Sequence, residues 1–239
     1  MKKRVQTSLI ILTRNEIEGM RALIGRIPFE AVDEHFVVDY ESDDGTVDFV
    51  KKRGIRIVHQ EIPGRGEAFR LAAEVARGKY FVFFSPDGNE DPADIPKLIE
   101  KLKEGSDMVI ASRFLPKSRN EEDDQLMKPR AWANRAFTFI ANLLWNRSGT
   151  YISDTINGYR AITKEAFDQL RLNAQGYAVE YQMSIRAMRL GLRVVEIPTI
   201  EGERIGGESK ARAIPTGLNF LGFLVKEIWY SIRGESEWS

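Results

Sequence analysis

The sequence predicts an α/β fold in which a mostly parallel sheet is flanked by helices. Three observations predict it. Tyr80-Phe81-Val82-Phe83-Phe84 is a continuous apolar run, the pattern of a strand buried on both faces. Strand-like and helix-like segments alternate through the first two-thirds of the chain, as in repeated βα units with right-handed crossovers. Polar turns rich in Gly, Pro and Asp follow the apolar runs, where an open α/β sheet binds its ligands.

The elements follow in order. Ser8 to Leu12 is an apolar strand, and Glu16 to Ile27 a helix with Ile17, Met20, Ile24 and Ile27 on one stripe. Phe36 to Val38 is a strand, Thr46 to Lys52 a short helix with Val47 and Val50 inward, and Ile55 to His59 a third strand. Gly64-Arg65-Gly66 opens a helix through Phe69, Ala72, Ala73 and Ala76, which Gly78 ends. Phe81 to Phe84, a helix from Ile95 to Lys103 and a strand from Met108 to Ala111 complete the alternation.

Beyond this the pattern changes. Lys117 to Lys128 is a charged stretch that reads as a solvated loop or a flap. Pro129 to Arg147 is an amphipathic helix with Trp132, Ala136, Phe137, Ile140, Leu143 and Leu144 on one face and Asn134, Thr138 and Asn142 opposite. Helices from Val179 to Leu190 and from Thr216 to Ile232 flank a strand from Arg193 to Ile197. The expected organisation is a single domain over 1–239: a donor half (1–115), an acceptor half (116–215) and a C-terminal helix (216–239).

Composition narrows the function. The 239 residues are 43% hydrophobic, enough for a full core. Lys+Arg and Asp+Glu both number 35, so the basic excess of a nucleic-acid binder is missing. With no cysteine, disulfides and thiolate chemistry are excluded. The basic N-terminus lacks a signal-peptide h-region, and no window reaches the ~18 apolar residues of a membrane span. The expected location is cytoplasmic.

Several turns carry candidate chemistry. Asp87 and Asn89 are hard oxygen donors just past the most apolar strand. They suit Mg²⁺ or Mn²⁺ on a diphosphate, which needs few protein ligands; equally, Asp87 could cap the helix near Pro92. Asp39 and Ser42 lie in an acidic turn after the second strand, suited to a ribose hydroxyl or uracil edge, or to a turn and helix cap. Gly64 and Arg65 open a helix whose N–H groups could receive a diphosphate. Asp154 to Arg160 places an acid and a base around a glycine turn. Arg204, Gly206, Gly207, Ser209 and Lys210 read as a glycine-hinged cationic loop suited to phosphates, or equally as a solvated surface loop. His35 and His59 have no partner at metal-ligand spacing and read as structural.

The order of these motifs resembles the inverting family 2 glycosyltransferases of GT-A (Rossmann-like) fold, and within them the polyprenyl-phosphate group. The resemblance runs from about Ser8 to Lys210. The family's Pro-Thr-Tyr-Asn-Glu reads here Leu12-Thr13-Arg14-Asn15-Glu16, and its Val-Asp-Asp-Gly-Ser-x-Asp-Gly-Thr reads Val38 to Thr46. Its metal motif reads Ser85-Pro86-Asp87-Gly88-Asn89, its Ser-Arg-Tyr reads Ser112-Arg113-Phe114, and its Asp-x-x-x-Gly-Phe-Arg reads Asp154 to Arg160. Its Arg-x-x-Gly-x-Ser-Lys matches Arg204, Gly207, Ser209 and Lys210. The departures are Arg14, Tyr40 and Ser85, at positions bearing on the nucleobase and the metal.

This resemblance implies a hexosyltransferase using Mg²⁺ or Mn²⁺. Thr13, Asn15, Glu16, Asp39, Ser42, Gly64 and Arg65 would hold a GDP- or UDP-sugar. Asp87, Arg113, Arg160 and Glu180 would act in catalysis, with Asp87 and Asn89 on the metal. Arg130, Arg204, Ser209 and Lys210 would bind acceptor and phosphate. A polyprenyl phosphate is already anionic and needs no general base, whereas a hydroxyl acceptor does, and Glu180 is the candidate. The family's Gln-x-Glu is swapped here to Glu180-Tyr181-Gln182. The alternatives are such a hydroxyl-directed transferase and a catalytically weak binding homologue. Helix 129–147, with Trp132 and Phe137 beside Lys128 and Arg130, suits peripheral membrane contact or a homodimer.

Overall fold

A computed structural model describes residues 5–120, 129–147, 149–206 and 213–233. Its centre is a seven-stranded sheet in the order β3-β2-β1-β4-β6-β5-β7. The strands are β1 (Thr7–Thr13), β2 (Glu34–Asp39), β3 (Arg56–His59), β4 (Tyr80–Phe84), β5 (Met108–Ser112), β6 (Arg160–Thr163) and β7 (Val194–Pro198). Only β6 runs antiparallel, inserted between β4 and β5. The α/β expectation of a mostly parallel sheet is met.

The sheet separates two cores by the period-two alternation of its strands. Ile10, Leu12, Phe81, Phe83, Met108 and Ile110 face one side. There they meet α3 (Arg65–Val75), α6 (Lys164–Leu170) and α7 (Ala178–Leu190), with α5 (Pro129–Trp145) and α8 (Ala213–Arg233) beyond. Leu9, Ile11, Val82, Phe84, Val109 and Ala111 face the other side. They meet α1 (Ile17–Leu23), α2 (Thr46–Lys51) and α4 (Ile95–Lys103). Within α2, Val50 is fully buried and Val47 only half-buried. His35 packs its ring on Phe29, centroids 4.5 Å apart.

Four details differ from the expected elements. The helix expected over 16–27 is α-helical only to Leu23 and continues as a 3₁₀ turn over Ile24–Arg26. The strand β6 and helix α6 carry no distinct sequence signal, because β6 is only four residues long. The start of the charged stretch keeps Lys117 and Arg119 exposed but is tied down: the Arg119 backbone bridges to Ile200, and Asn120 is buried. The expected apolar face of α5 is split: Phe137 and Ile140 pack against the core, while Trp132 (50%) and Leu143 (71%) are exposed, and Thr138 of the opposite face is buried with Ala131, Ala141 and Trp145. Hydrogen bonding explains the burial of Thr138. Thr138 Oγ1 meets Thr155 Oγ1 at 2.8 Å, and Asn142 Nδ2 donates to the Ile152 carbonyl at 2.8 Å, so the polar stripe is satisfied inward.

Helix α8 is apolar on both its buried and its exposed face. Phe220, Leu224 and Glu227 are buried, and Leu221, Val225 and Ile232 are exposed. The Glu227 carboxylate accepts from Arg186 of α7 (3.0 Å), with both side chains fully buried. Trp145 Nε1 donates to Ser231 Oγ (2.8 Å), tying α5 to α8. Among the described residues, no helix is long and apolar enough to cross a membrane.

Candidate active site

The parallel strands β1, β2, β4, β5 and β7 deliver the turns that follow them to one edge of the sheet. Antiparallel β6 begins at that same edge, which brings Ile156 to Tyr159 there too. These turns, with residues of α5 and α8, enclose a cavity of about 650 Å³. That is the size range of a small-molecule site. Of the expected site residues, Thr13, Glu16, Gly64, Arg65, Asp87, Asn89, Arg113, Arg130, Glu180 and Arg204 line it.

The metal-motif turn and the segment after β7 are built as one unit. Ile205 N–H donates to the Asp87 carbonyl (2.7 Å), and Gly202 N–H to the Asn89 carbonyl (3.1 Å). Gly88 adopts φ 98°, and a Cβ there would sit 2.5 Å from the Glu203 carbonyl oxygen, so only glycine lets the two segments meet. Across this junction Arg204 bridges two carboxylates. Its Nη1 lies 2.8 Å from Asp87 Oδ2, and its Nη2 lies 2.8 Å from Glu16 Oε1.

A second cation sits deeper. Arg65 Nε ion-pairs with Glu180 Oε1, and both Arg65 Nη groups reach Ser85 Oγ at 3.3 Å. Gly158 gives this pair its room, since a Cβ there would meet Arg65 Nη2 at 2.3 Å. Burial works against the Arg65 charge, but the carboxylates of Glu180 and Glu90 outweigh it and hold its pKa up. Glu180 Oε2 is buried and has no hydrogen-bond partner among the described residues. The swapped Gln182 turns the other way. Its Oε1 accepts from Asn173 N–H and Ala174 N–H, both at 2.9 Å, so Glu180 is the member that lines the cavity.

Glu90, which sequence reasoning missed, also lines the cavity and accepts from Ser85 N–H at 2.6 Å. Burial first, then the neighbouring Asp87 charge, push its carboxyl well above the usual range, against the pull of Arg65. An acid directly after Asn89 in the same turn was the available signal. At the far side Arg113 grips Asp154 through Nε (2.8 Å) and Nη2 (3.1 Å), and reaches Glu201 at 3.2 Å. Burial raises the Asp154 pKa, but the Arg113 charge and hydrogen bonds overcome this and leave it lowered.

Some expected residues stand elsewhere. Arg160 does not face the cavity and cannot meet a phosphate there. It is fully buried, and its guanidinium donates to the carbonyls of Asn157 and Glu180 and to Ser184 Oγ, which pins β6 under α7. Asp39 is 1% exposed and accepts from Thr13 Oγ1 (2.6 Å), Ser42 Oγ (2.5 Å) and Ser42 N–H (3.1 Å). It therefore shapes the turn from behind the lining. Ser42 and Asn15 complete that turn, Asn15 N–H donating to Ser42 Oγ at 2.8 Å. What the β1 and β2 ends present to the cavity is Arg14 stacked over Tyr40, 5.0 Å from the ring centroid.

The glycine turn is not an open phosphate cradle. Gly66 N–H already donates to the Gln175 carbonyl (2.8 Å), and Gly64 and Gly66 are small because residues 174–175 cross directly above them. Ser209 and Lys210 lie outside the described residues.

Asp87 and Asn89 are hard oxygen donors at the cavity wall, and among the described residues no group of three or more His, Cys, Asp or Glu could hold an ion. The set fits Mg²⁺ or Mn²⁺ held by one or two protein oxygens and completed by phosphate and water.

Comparison with known proteins places this geometry. A sequence model of the family described as Glycosyl transferase family 2 matches residues 8–170. The chain is 34% identical over 214 residues to an undecaprenyl-phosphate mannosyltransferase of Micrococcus luteus, covering 84% of this chain and 85% of that protein. It is 29% identical over 245 residues to a polyprenol monophosphomannose synthase of Mycolicibacterium smegmatis, covering 96% and 88%. It is 30% identical over 188 residues to glycosyltransferase AglJ of Haloferax volcanii, covering 78% of this chain but only 60% of AglJ. Among solved structures it shares its fold with glucosyl-3-phosphoglycerate synthase of Mycobacterium tuberculosis in complex with Mn²⁺, UDP and phosphoglyceric acid. There the TM-score is 0.71 at 23% identity, covering 93% of this chain and 78% of that one.

Proposed function

Because the chain belongs to glycosyl transferase family 2, we propose that it moves a sugar from a GDP- or UDP-sugar to a polyprenyl phosphate with inversion. The observation that carries this reading is the lining of the cavity. Asp87, Glu16, Arg204 and Arg65 line it together with Ala133 and Phe137 of α5 and Phe220 of α8. Both helices also carry exposed apolar side chains, Trp132, Phe139 and Leu143 on α5 and Leu221, Val225 and Ile232 on α8. The charged lining suits phosphates, and apolar lining on helices with exposed apolar side chains suits a lipid tail. The similarity to polyprenyl-phosphate mannosyltransferases supports the same acceptor class.

In this mechanism an acceptor phosphate oxygen attacks the anomeric carbon while the nucleoside diphosphate leaves from the opposite face. The acceptor is anionic at neutral pH, so no base has to take a proton. Arg113, Arg130 and Arg204 line the walls where phosphate charge must be held. Arg65 keeps Glu180 in place beneath them. A divalent cation at Asp87 and Asn89 would neutralise charge developing on the leaving diphosphate. Thr13, Glu16 and Arg65 serve the donor side, with Asp39, Ser42 and Asn15 organising the turn behind it. The exposed Trp132, Phe139 and Leu143 rest on a membrane surface, so the protein works as a peripheral enzyme.

A thermal-shift and hydrolysis panel tests the donor side. GDP, UDP and their sugars, each with Mn²⁺ or Mg²⁺, should raise the melting temperature by several degrees for the cognate nucleotide. The cognate sugar nucleotide alone should be hydrolysed slowly. No stabilisation by any nucleotide-metal pair contradicts the reading.

A further inference from the structure

Arg204 stands where a cation is needed, and we propose that it is the stand-in cation of the Asp87 site, competing with the divalent ion until a nucleoside diphosphate draws it away. This inference rests on the reading of Asp87 as a metal ligand. The geometry is specific. One guanidinium holds Asp87 and Glu16 at 2.8 Å each. Without it, the carboxylates of Asp87 and Glu16 would converge at the cavity wall with no cation between them. The Arg204 side chain is only one-fifth exposed, so water screens these pairs weakly.

The backbone around Arg204 is fixed, while its guanidinium, held by Asp87 and Glu16, keeps one donor unused. Ile205 N–H and Gly202 N–H lock the strap onto the Asp87 turn. Arg204 Nε, by contrast, is buried with no hydrogen-bond partner among the described residues. An exchange of partners therefore needs only a side-chain movement. Metal binding alone must break the Arg204–Asp87 pair and leave the guanidinium with one carboxylate. A diphosphate gives it an anion of matching fork geometry. The ion and the nucleotide should thus strengthen each other's binding, and by linkage they must do so by the same factor. Arg204 is here a positioning residue that makes loading of the site an all-or-none event.

Mn²⁺ binding, followed by the electron paramagnetic resonance signal of the free ion, tests this. The samples are wild type, Arg204→Met, Arg204→Gln and Asp87→Asn, each alone and with UDP or GDP, with circular dichroism confirming the fold. With Mn²⁺ alone, the two Arg204 variants should bind about 10-fold or more tighter than wild type, since competition by a guanidinium lowers apparent affinity by the fraction of open sites. Adding the preferred nucleotide should tighten Mn²⁺ binding in wild type by a factor at least several-fold larger than in either variant. Equal or absent Mn²⁺ binding in wild type and both Arg204 variants, or equal coupling to nucleotide, overturns the proposal. If Asp87→Asn binds Mn²⁺ as wild type does, the ion lies elsewhere and the metal reading itself fails.

Discussion

The donor edge of the sheet and the helix pair α5/α8 border the same cavity but spend their side chains differently. At the donor edge almost every charged group has a named partner: Arg204 with Glu16 and Asp87, Arg65 with Glu180, Arg113 with Asp154 and Glu201. On α5 and α8, Thr138, Asn142 and Glu227 turn inward, to Thr155, Ile152 and Arg186, while Trp132, Leu143, Val225 and Ile232 turn out. In a helix that only covers a sheet, the apolar stripe faces the core. The contrast teaches that the donor edge sets its charges against one another around the cavity, while the helix pair leaves large apolar side chains exposed.

The largest expected effect breaks the helix pair from inside. Glu227→Ala removes a fully buried carboxylate that Arg186 grips, and should cost about 3–5 kcal/mol of stability. Denaturant melts would show it as a shifted midpoint. A loss below about 1 kcal/mol would mean that α8 is not anchored through this pair. Next, Asp87→Ala should lower turnover ~10²-fold or more while leaving the fold intact, the scale of losing one electrostatic stabiliser. Steady-state rates with and without EDTA check it, and full activity of the variant in EDTA refutes the metal role.

Smaller effects sharpen the comparison. Trp132→Ser should weaken co-sedimentation with anionic liposomes about 10-fold, from the ~1.5–3 kcal/mol carried by one large apolar side chain. Unchanged supernatant fractions, or dimerisation lost instead, would assign the exposed face of α5 to a second copy of the chain. The smallest effect concerns Glu90. Its folded pKa is raised well above 4.5, so the native state holds a proton that the unfolded chain has lost. Stability from this group is full below about 4.5 and declines as pH rises through the folded pKa. Melting temperatures of wild type should therefore fall relative to Glu90→Gln across that window. A constant difference would mean that Glu90 titrates normally.

Much of the donor edge was legible because parallel strands convert sequence order into position. Asp87, Glu16 and Arg113 each follow an apolar run that ends at the same edge, so their convergence follows from the run alone. Arg160 was not legible in this way. It opens a four-residue antiparallel strand with no signal of its own, and a buried arginine satisfied by carbonyls carries the same letter as one that binds phosphate. Gly64 and Gly66 misled for a related reason. Their smallness answers a backbone crossing from residues more than a hundred positions away, not a ligand. The inward turn of Thr138 on α5 was not legible, because Thr138 and Asn142 find partners across the chain that no local pattern reveals.

The acceptor is the centre of the account, and a direct rate comparison tests it. Wild type, supplied with its cognate sugar nucleotide and Mn²⁺ or Mg²⁺, would be given a short-chain polyprenyl phosphate and, separately, water-soluble hydroxyl acceptors, with products followed by mass spectrometry. The account predicts faster transfer to the phosphate, giving a phosphodiester-linked sugar of inverted anomeric configuration, with Glu180→Gln retaining much of that rate because no base is needed. Faster transfer to a soluble hydroxyl, abolished by Glu180→Gln, would contradict it and make the buried Glu180 carboxylate the catalytic base.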